Sequence, residues 1–234
     1  MISYKIHLIR TGKTSTDPVK RYVGQSDVPL CPEGRAAMQE LAETASYPPV
    51  QMVYTSPLAR CVETADILFP ELYTVPMDGL MDMNLGAYQG CSFDELKNDS
   101  GFLAWLEDSY QNAPPDGEDT LSFTTRIIGA IQSIFDDMME EKLTNVAVVT
   151  HGGVIMTLLA AIGLPRAPLH HWAVDNGVGY TLLLTPQMWM RDHCLEVYAP
   201  VPGFPEEESG DSAEWDKEWD EWDDKNWDDA EDSL

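Results

Sequence analysis

The sequence predicts an α/β protein built on a largely parallel sheet with helices on both faces. Three observations predict it. Short apolar or β-branched runs recur along the chain and alternate with stretches of helical periodicity, the pattern of strand–helix–strand units. Two of those runs end in a polar residue followed by glycine, Leu8-Ile9-Arg10-Thr11-Gly12 and Val148-Val149-Thr150-His151-Gly152-Gly153, as ligand-binding strands do at the carboxyl edge of an open sheet. Hydrophobic residues make up 44 % of the 234, enough to fill a core and too many for wholesale disorder.

The elements follow in order. Residues 4–10 alternate polar and apolar and read as a strand. A polar, glycine-containing loop runs from Thr11 to about Leu30, and Pro32 opens a helix to about Ser46. Gln51–Tyr54 is a short strand. Ser56 reads as an N-cap with Pro57 at the first helical position, and that helix runs to about Phe69. Tyr73–Pro76 is another strand. Residues 77–116 are irregular, with Gly86, Gly90, Gly101 and Pro114-Pro115, and with short helical pieces near 92–97 and 101–110. Glu118–Glu141 is a long amphipathic helix, Asn145–Thr150 a buried strand, and Gly152–Ile162 a helix stopped by Gly163 and Pro165. Tyr180–Leu184 and Cys194–Val197 are late strands.

Charge divides the chain in two. The formal net charge is −26, and residues 205–234, with 15 acidic residues and two lysines, hold half of it. The predicted organisation is therefore a folded body over 1–204 and an acidic tail over 205–234. So much negative charge disfavours non-specific contact with nucleic acid or an anionic membrane surface. No apolar run reaches the roughly 18 residues needed to span a bilayer, and the start of the chain lacks the marks of a signal peptide. Cys31, Cys61, Cys91 and Cys194 form no CxxC pair, so neither a zinc site nor a disulfide framework is expected. A cytoplasmic protein is the expectation.

The chemistry is expected at the two strand ends. Glycine after a strand lets main-chain N–H groups approach an anion, and a following helix start adds positive potential. Arg60 lies one turn inside a helix that also follows a strand. If these ends converge, Arg10, Arg60, His151 and Gly152 line one anion pocket. Two guanidiniums and an imidazole suit a phosphoryl group.

These motifs, in this order, resemble the histidine phosphatase superfamily, the phosphoglycerate mutase-like fold. The family's Arg-His-Gly motif reads Arg10-Thr11-Gly12 here. Gly24-Gln-Ser-Asp27-Val-Pro29-Leu30 with Gly34 resembles its next loop. Ser56-Pro57-Leu58 with Arg60, Thr64 and Ala65 resembles its second arginine motif, and His151-Gly152 its second histidine motif. Leu80-Met-Asp82-Met-Asn-Leu-Gly86 with Gly90 resembles its acid-bearing segment, aspartate standing where most members carry glutamate. Gly117-Glu118 and Arg126 resemble a further element. The likeness spans roughly residues 4–184. It implies a three-layer α/β/α sandwich and hydrolysis of small phosphomonoesters through a phosphohistidine, with no metal or cofactor. Arginines and the second histidine would hold the phosphoryl oxygens, and Asp82 would protonate the leaving oxygen. The compact body, without a long insertion after Gly90, leans towards a phosphatase over a mutase.

Thr11 breaks the pattern, because it occupies the place of the nucleophilic histidine. A neutral hydroxyl is a weak nucleophile without a base. Thr11 is a loss in the natural protein, a substitution in the expressed chain, or an unusual functional residue. The chain is expected to bind phosphate or sulfate and to turn over poorly; the alternative is a pseudoenzyme that binds a phospholigand or a partner. Asp17, where the family often has asparagine, would repel the substrate. Glu118 and Arg126 fit a site role or plain helix-surface and capping roles equally well. His170 and His171 are expected to pack or face solvent, and His7 and His193 carry no assigned chemistry. The tail reads as a solubilising extension. Its Trp215, Trp219 and Trp222, at helical spacing, also suit docking on a partner's groove or on the chain's own arginine-lined pocket.

Overall fold

The computed structural model describes residues 3–15 and 19–203. Asp17 and the tail, with the readings placed on them, lie outside the described residues.

Seven strands form one sheet in the order β3-β2-β4-β1-β6-β7-β5. They are β1 (Tyr4–Arg10), β2 (Met52–Thr55), β3 (Thr74–Pro76), β4 (Asn145–Thr150), β5 (Gly163–Leu164), β6 (Gly179–Leu184) and β7 (Leu195–Val201). β1, β2, β3 and β4 pair in parallel, while β6 runs against both β1 and β7. The helices are α1 (Pro32–Thr44), α2 (Ala59–Leu68), α3 (Phe93–Leu96), α4 (Ser100–Glu107), α5 (Thr120–Glu140), α6 (Gly152–Ile162) and α7 (Pro186–Asp192). β5 and α7 are elements that hydrophobic pattern alone does not announce.

The period of two along each strand makes the three layers. Ile6, Leu8, Val146 and Val148 point to one face, where α5 and α6 supply Ile127, Ile131, Phe135, Ile155 and Leu158. Ile9, Val53, Ala147 and Val149 point to the other, against Cys61, Ala65 and Leu68 of α2 and Leu41 of α1. α5 buries Phe123, Ile127, Ile131, Ile134 and Met138, a single helical stripe, each contributing about 1.5–3 kcal/mol by leaving water. A third cluster lies in the irregular segment, where Tyr88, Leu96 and Phe102 pack with Tyr22 and Trp105.

One expected boundary is corrected. α2 starts at Ala59, capped by Leu58 with no side-chain bond, and Arg60 is its second residue rather than a turn inside. Ser56 lies just before this cap, where its hydroxyl accepts the Leu58 N–H at 3.4 Å and the His151 Nε2–H at 3.0 Å. The capping work falls to Asp27, whose Oδ1 accepts the Ala59 N–H at 2.7 Å from a loop 32 residues away.

Topology then gathers the motifs. The carboxyl ends of β1, β2 and β4 lie side by side, with Arg10 opposite Thr150 and Ile9 opposite Val149. The residues that follow, Thr11, Ser56 and His151, therefore leave the sheet at one edge. β6 runs the other way, so the residues before it, 174–178, reach that same edge.

Candidate active site

Thr11 is buried, 7 % exposed. Its main-chain N–H donates to Thr150 O at 2.8 Å, continuing the β1–β4 pairing one step past the strands. Its hydroxyl donates to the carbonyl oxygen of Arg60 at 2.8 Å and lies 3.2 Å from Thr64 Oγ1. Thr64 also donates to Arg60 O, at 2.7 Å, and accepts the Gly12 N–H at 2.9 Å. The Thr11 proton is thus directed at a carbonyl, which cannot remove it.

Arg60 is 3 % exposed. It donates through Nη2 to Gly24 O at 2.7 Å, through Nη1 to Ser26 O at 2.8 Å and through Nε to His151 Nδ1 at 3.2 Å. All these acceptors are neutral. Its carboxylate neighbour, Asp82 Oδ2, stands off at 3.9 Å. Gly24 owes its place here to a positive φ of 51°, where a Cβ would come within 2.8 Å of Gln89 Oε1.

His151 is 2 % exposed. Because Nδ1 accepts from Arg60, the ring proton sits on Nε2 and donates to Ser56 Oγ at 3.0 Å. Burial, then the positive fields of Arg60 and Arg126, hold its pKa well below 6.5, so the imidazole is neutral at pH 7. Cys61 Sγ lies 3.5 Å from Nε2, and burial pushes this thiol up to about 12, leaving it unreactive.

Asp82 Oδ2 lies 3.9 Å from His151 Nδ1, and Oδ1 accepts the Met83 N–H at 3.0 Å. Burial in the cleft raises its carboxyl above the ordinary value, against the Met83 bond and the pull of Arg60, Arg126 and Arg10. Two glycines let α6 come this close. A Cβ at Gly152 would lie 3.2 Å from Arg10 Nε, and one at Gly153 would lie 3.1 Å from Asp82 Oδ1. Arg10 itself donates through Nη1 to Val174 O. Burial lowers its pKa, while Asp175 and Asp82 counter that effect.

The structure thus brings together Arg10, Thr11, Arg60, Asp82, His151 and Gly152, all six of the expected site residues. It adds others that spacing did not mark. Asn176 donates through Nδ2 to Thr11 O at 2.6 Å; it precedes β6, and only the reversed direction of that strand carries it to this edge. Ser56 and Thr64 sit in the second arginine motif, but their bonds to His151 and Gly12 need the fold to be seen. His7 is far from this chemistry on β1, with its ring bonded to Thr181 at 2.9 Å and Asn145 at 2.6 Å. Among the described residues no group of three or more His, Cys, Asp or Glu side chains could hold a metal ion. Among them, too, no helix is long and apolar enough to cross a membrane.

The family profile described as the histidine phosphatase superfamily, branch 1, matches residues 6–193. The adenosylcobalamin/alpha-ribazole phosphatase of Salmonella typhimurium is 27 % identical over 181 residues, 74 % of this chain and 87 % of that protein. The glucosyl-3-phosphoglycerate phosphatase of Mycobacterium tuberculosis is 28 % identical over 188 residues, 76 % of this chain and 83 % of that one. Among solved structures, the alpha-ribazole phosphatase of Shigella flexneri superposes with a TM-score of 0.69 at 22 % identity, covering 83 % of this chain and 95 % of that one.

Proposed function

The chain belongs to the histidine phosphatase superfamily, and we propose that its site binds the phosphoryl group of a small phosphorylated metabolite. In that proposal the machinery is that of a phosphomonoester hydrolase working through a covalent phosphoenzyme. Thr11 strongly impairs its chemical step. The names of the relatives, phosphatases of ribazole and glucosylphosphoglycerate types, support a small phosphomonoester as the ligand class.

The observation that carries this is Arg60. A guanidinium buried to 3 % exposure is costly unless an anion meets it, and its carboxylate neighbour stands off at 3.9 Å. Phosphoryl oxygens supply that anion. Arg10, Arg60 and the first-turn N–H groups at Gly152 hold them, with the Nδ1 edge of His151 alongside Arg60 and Asp82. Asp82, its pKa raised by burial, retains a proton further up the pH scale than an ordinary aspartate and delivers it to the leaving oxygen. The reacting group that is missing is the nucleophile. Loss of a nucleophile in a hydrolase costs on the order of 10⁶ in rate, roughly 8 kcal/mol of barrier.

A second proposal is that of a retired enzyme, in which the pocket serves phospholigand binding alone. It is favoured by Thr11 itself, whose hydroxyl is fully absorbed by Arg60 O. One paired assay separates the two. Phosphate affinity is measured by calorimetry, and hydrolysis of 4-nitrophenyl phosphate is followed for this chain and for Thr11→His. Phosphate binding by both forms, with turnover only by Thr11→His, is the expected result. Binding without turnover by either form selects the retired enzyme. Absence of phosphate binding, or brisk turnover by the Thr11 chain, overturns the assignment.

A further inference from the structure

Glu118, Phe123 and Arg126, at the start of α5, form a dense cluster that the mechanism above does not use. The Arg126 guanidinium pairs with both oxygens of Glu118 through one edge, Nε to Oε1 at 2.9 Å and Nη2 to Oε2 at 2.8 Å, and lies over the Phe123 ring at 5.2 Å. Its remaining N–H groups do not go to solvent. Nη1 donates to Gly79 O at 3.0 Å, Met81 O at 2.9 Å and, more weakly, Asp78 O at 3.4 Å, and Nη2 donates to Asp82 O at 3.1 Å. The carbonyl that Arg126 skips, Leu80 O, is taken by Thr150 Oγ1 at 2.8 Å. Five successive carbonyls, from 78 to 82, are therefore held by side chains.

We propose that Glu118 and Arg126 are positioning residues for Asp82: they fix the main chain of 78–82 and so present a carboxyl one methylene shorter than glutamate to the leaving oxygen. The inference rests on the phosphatase reading above. An ordinary surface ion pair is worth about 0–1 kcal/mol and would leave those carbonyls to water. Here Glu118 also ties the far side of the segment, accepting the Asn84 N–H at 3.4 Å, while its own N–H donates to Asn84 O at 2.8 Å. Gly79 lies flat on α5, where a Cβ would come within 2.7 Å of the Ala130 Cβ. Gln25 Nε2 adds a second donor to Asp82 O at 3.0 Å. The main chain under the acid is clamped from both sides, and Asp82 inherits its position from that clamp.

The test uses the leaving group. In the Thr11→His background, Arg126→Gln, Arg126→Lys and Glu118→Gln are assayed on 4-nitrophenyl phosphate, whose phenolate leaves without help, and on glycerol 3-phosphate, whose alkoxide needs a proton. Misplacing a general acid lowers the alkyl substrate's kcat by about 100-fold or more and the aryl substrate's by less than about 5-fold, the pattern of Asp82→Asn. Equal losses on both substrates, or none, overturn the proposal. The milder Glu118→Gln and Arg126→Lys keep the test readable should Arg126→Gln fail to fold.

Should Thr11→His turn over neither substrate, the phosphatase reading fails and the clamp is judged alone. The Asp82 carboxyl is then titrated by NMR in the Thr11 chain and in its Glu118→Gln and Arg126→Lys forms. A carboxyl released from the cleft titrates lower, towards an ordinary aspartate. A midpoint that stays or rises shows the carboxyl still in place, and the positioning role is wrong.

Discussion

Thr11 donates its hydroxyl proton to the main-chain carbonyl of Arg60 at 2.8 Å. Thr11 is thereby a strut between the end of β1 and the first turn of α2. Thr64 shares the same acceptor at 2.7 Å and accepts the Gly12 N–H at 2.9 Å, so the two hydroxyls tie the segment after β1 to the first turns of α2.

A strut and a nucleophile respond differently to deletion. Thr11→Val removes the hydroxyl and keeps the shape. The expected cost is about 1 kcal/mol of stability, read by urea unfolding, with residual hydrolysis of 4-nitrophenyl phosphate unchanged. A drop of tenfold or more in that residual rate would show the hydroxyl taking part in the chemistry.

Stability should fall in mild acid. The folded-state pKa of His151 lies well below 6.5, so below pH 6.5 the unfolded chain takes up a proton that the native chain refuses. The stability this gives is complete above about pH 7 and is lost as pH falls towards the folded value. His7, also lowered by burial, adds in the same direction. Urea midpoints at pH 7.5 and 5.5 should differ with that sign, and His151→Gln should shrink the difference. A midpoint that rises towards pH 5.5 would contradict it.

Asp82 should oppose anion binding when charged. Its carboxyl lies 3.9 Å from both Arg60 and His151 and titrates above the ordinary range. Sulfate, a dianion across the range, should bind more tightly as pH falls from 7.5 to 5. Asp82→Asn should bind it several-fold more tightly at pH 7.5 and lose most of that pH dependence, as calorimetry at each pH would show.

A side chain at the start of α6 would crowd Arg10. At Gly152 a Cβ would sit 3.2 Å from Arg10 Nε, so Gly152→Ala should displace that guanidinium and weaken phosphate binding by roughly tenfold, about 1.4 kcal/mol. Unfolding should change by less than about 1 kcal/mol, since alanine suits a helix better than glycine. Unaltered phosphate affinity would place Arg10 outside the binding site.

Much of this was legible in the sequence because it depends on local rules. Alternation along Tyr4–Arg10 and Asn145–Thr150, the stripe of α5 and the stop at Gly163 follow from burial period and backbone preference. The strand ends carried their polar residues in plain view, which is why Arg10, Arg60 and His151 could be named together. The start of α2 was not legible: the Ala59 N–H is met by Asp27, 32 residues back, and the Ser56 hydroxyl is shared with His151, 95 residues on.

The rest belongs to tertiary structure, for one physical reason. A short polar side chain or a backbone carbonyl has no preferred partner until the fold brings one within hydrogen-bond reach, about 3 Å. Sequence determined the alternating α/β architecture and the arginine, histidine and threonine types at the strand ends. Only the packed sheet decided that Thr11 would become a strut, that Asn176 would reach it from a strand running the other way, and that Arg126 would spend its donors on the carbonyls beneath Asp82.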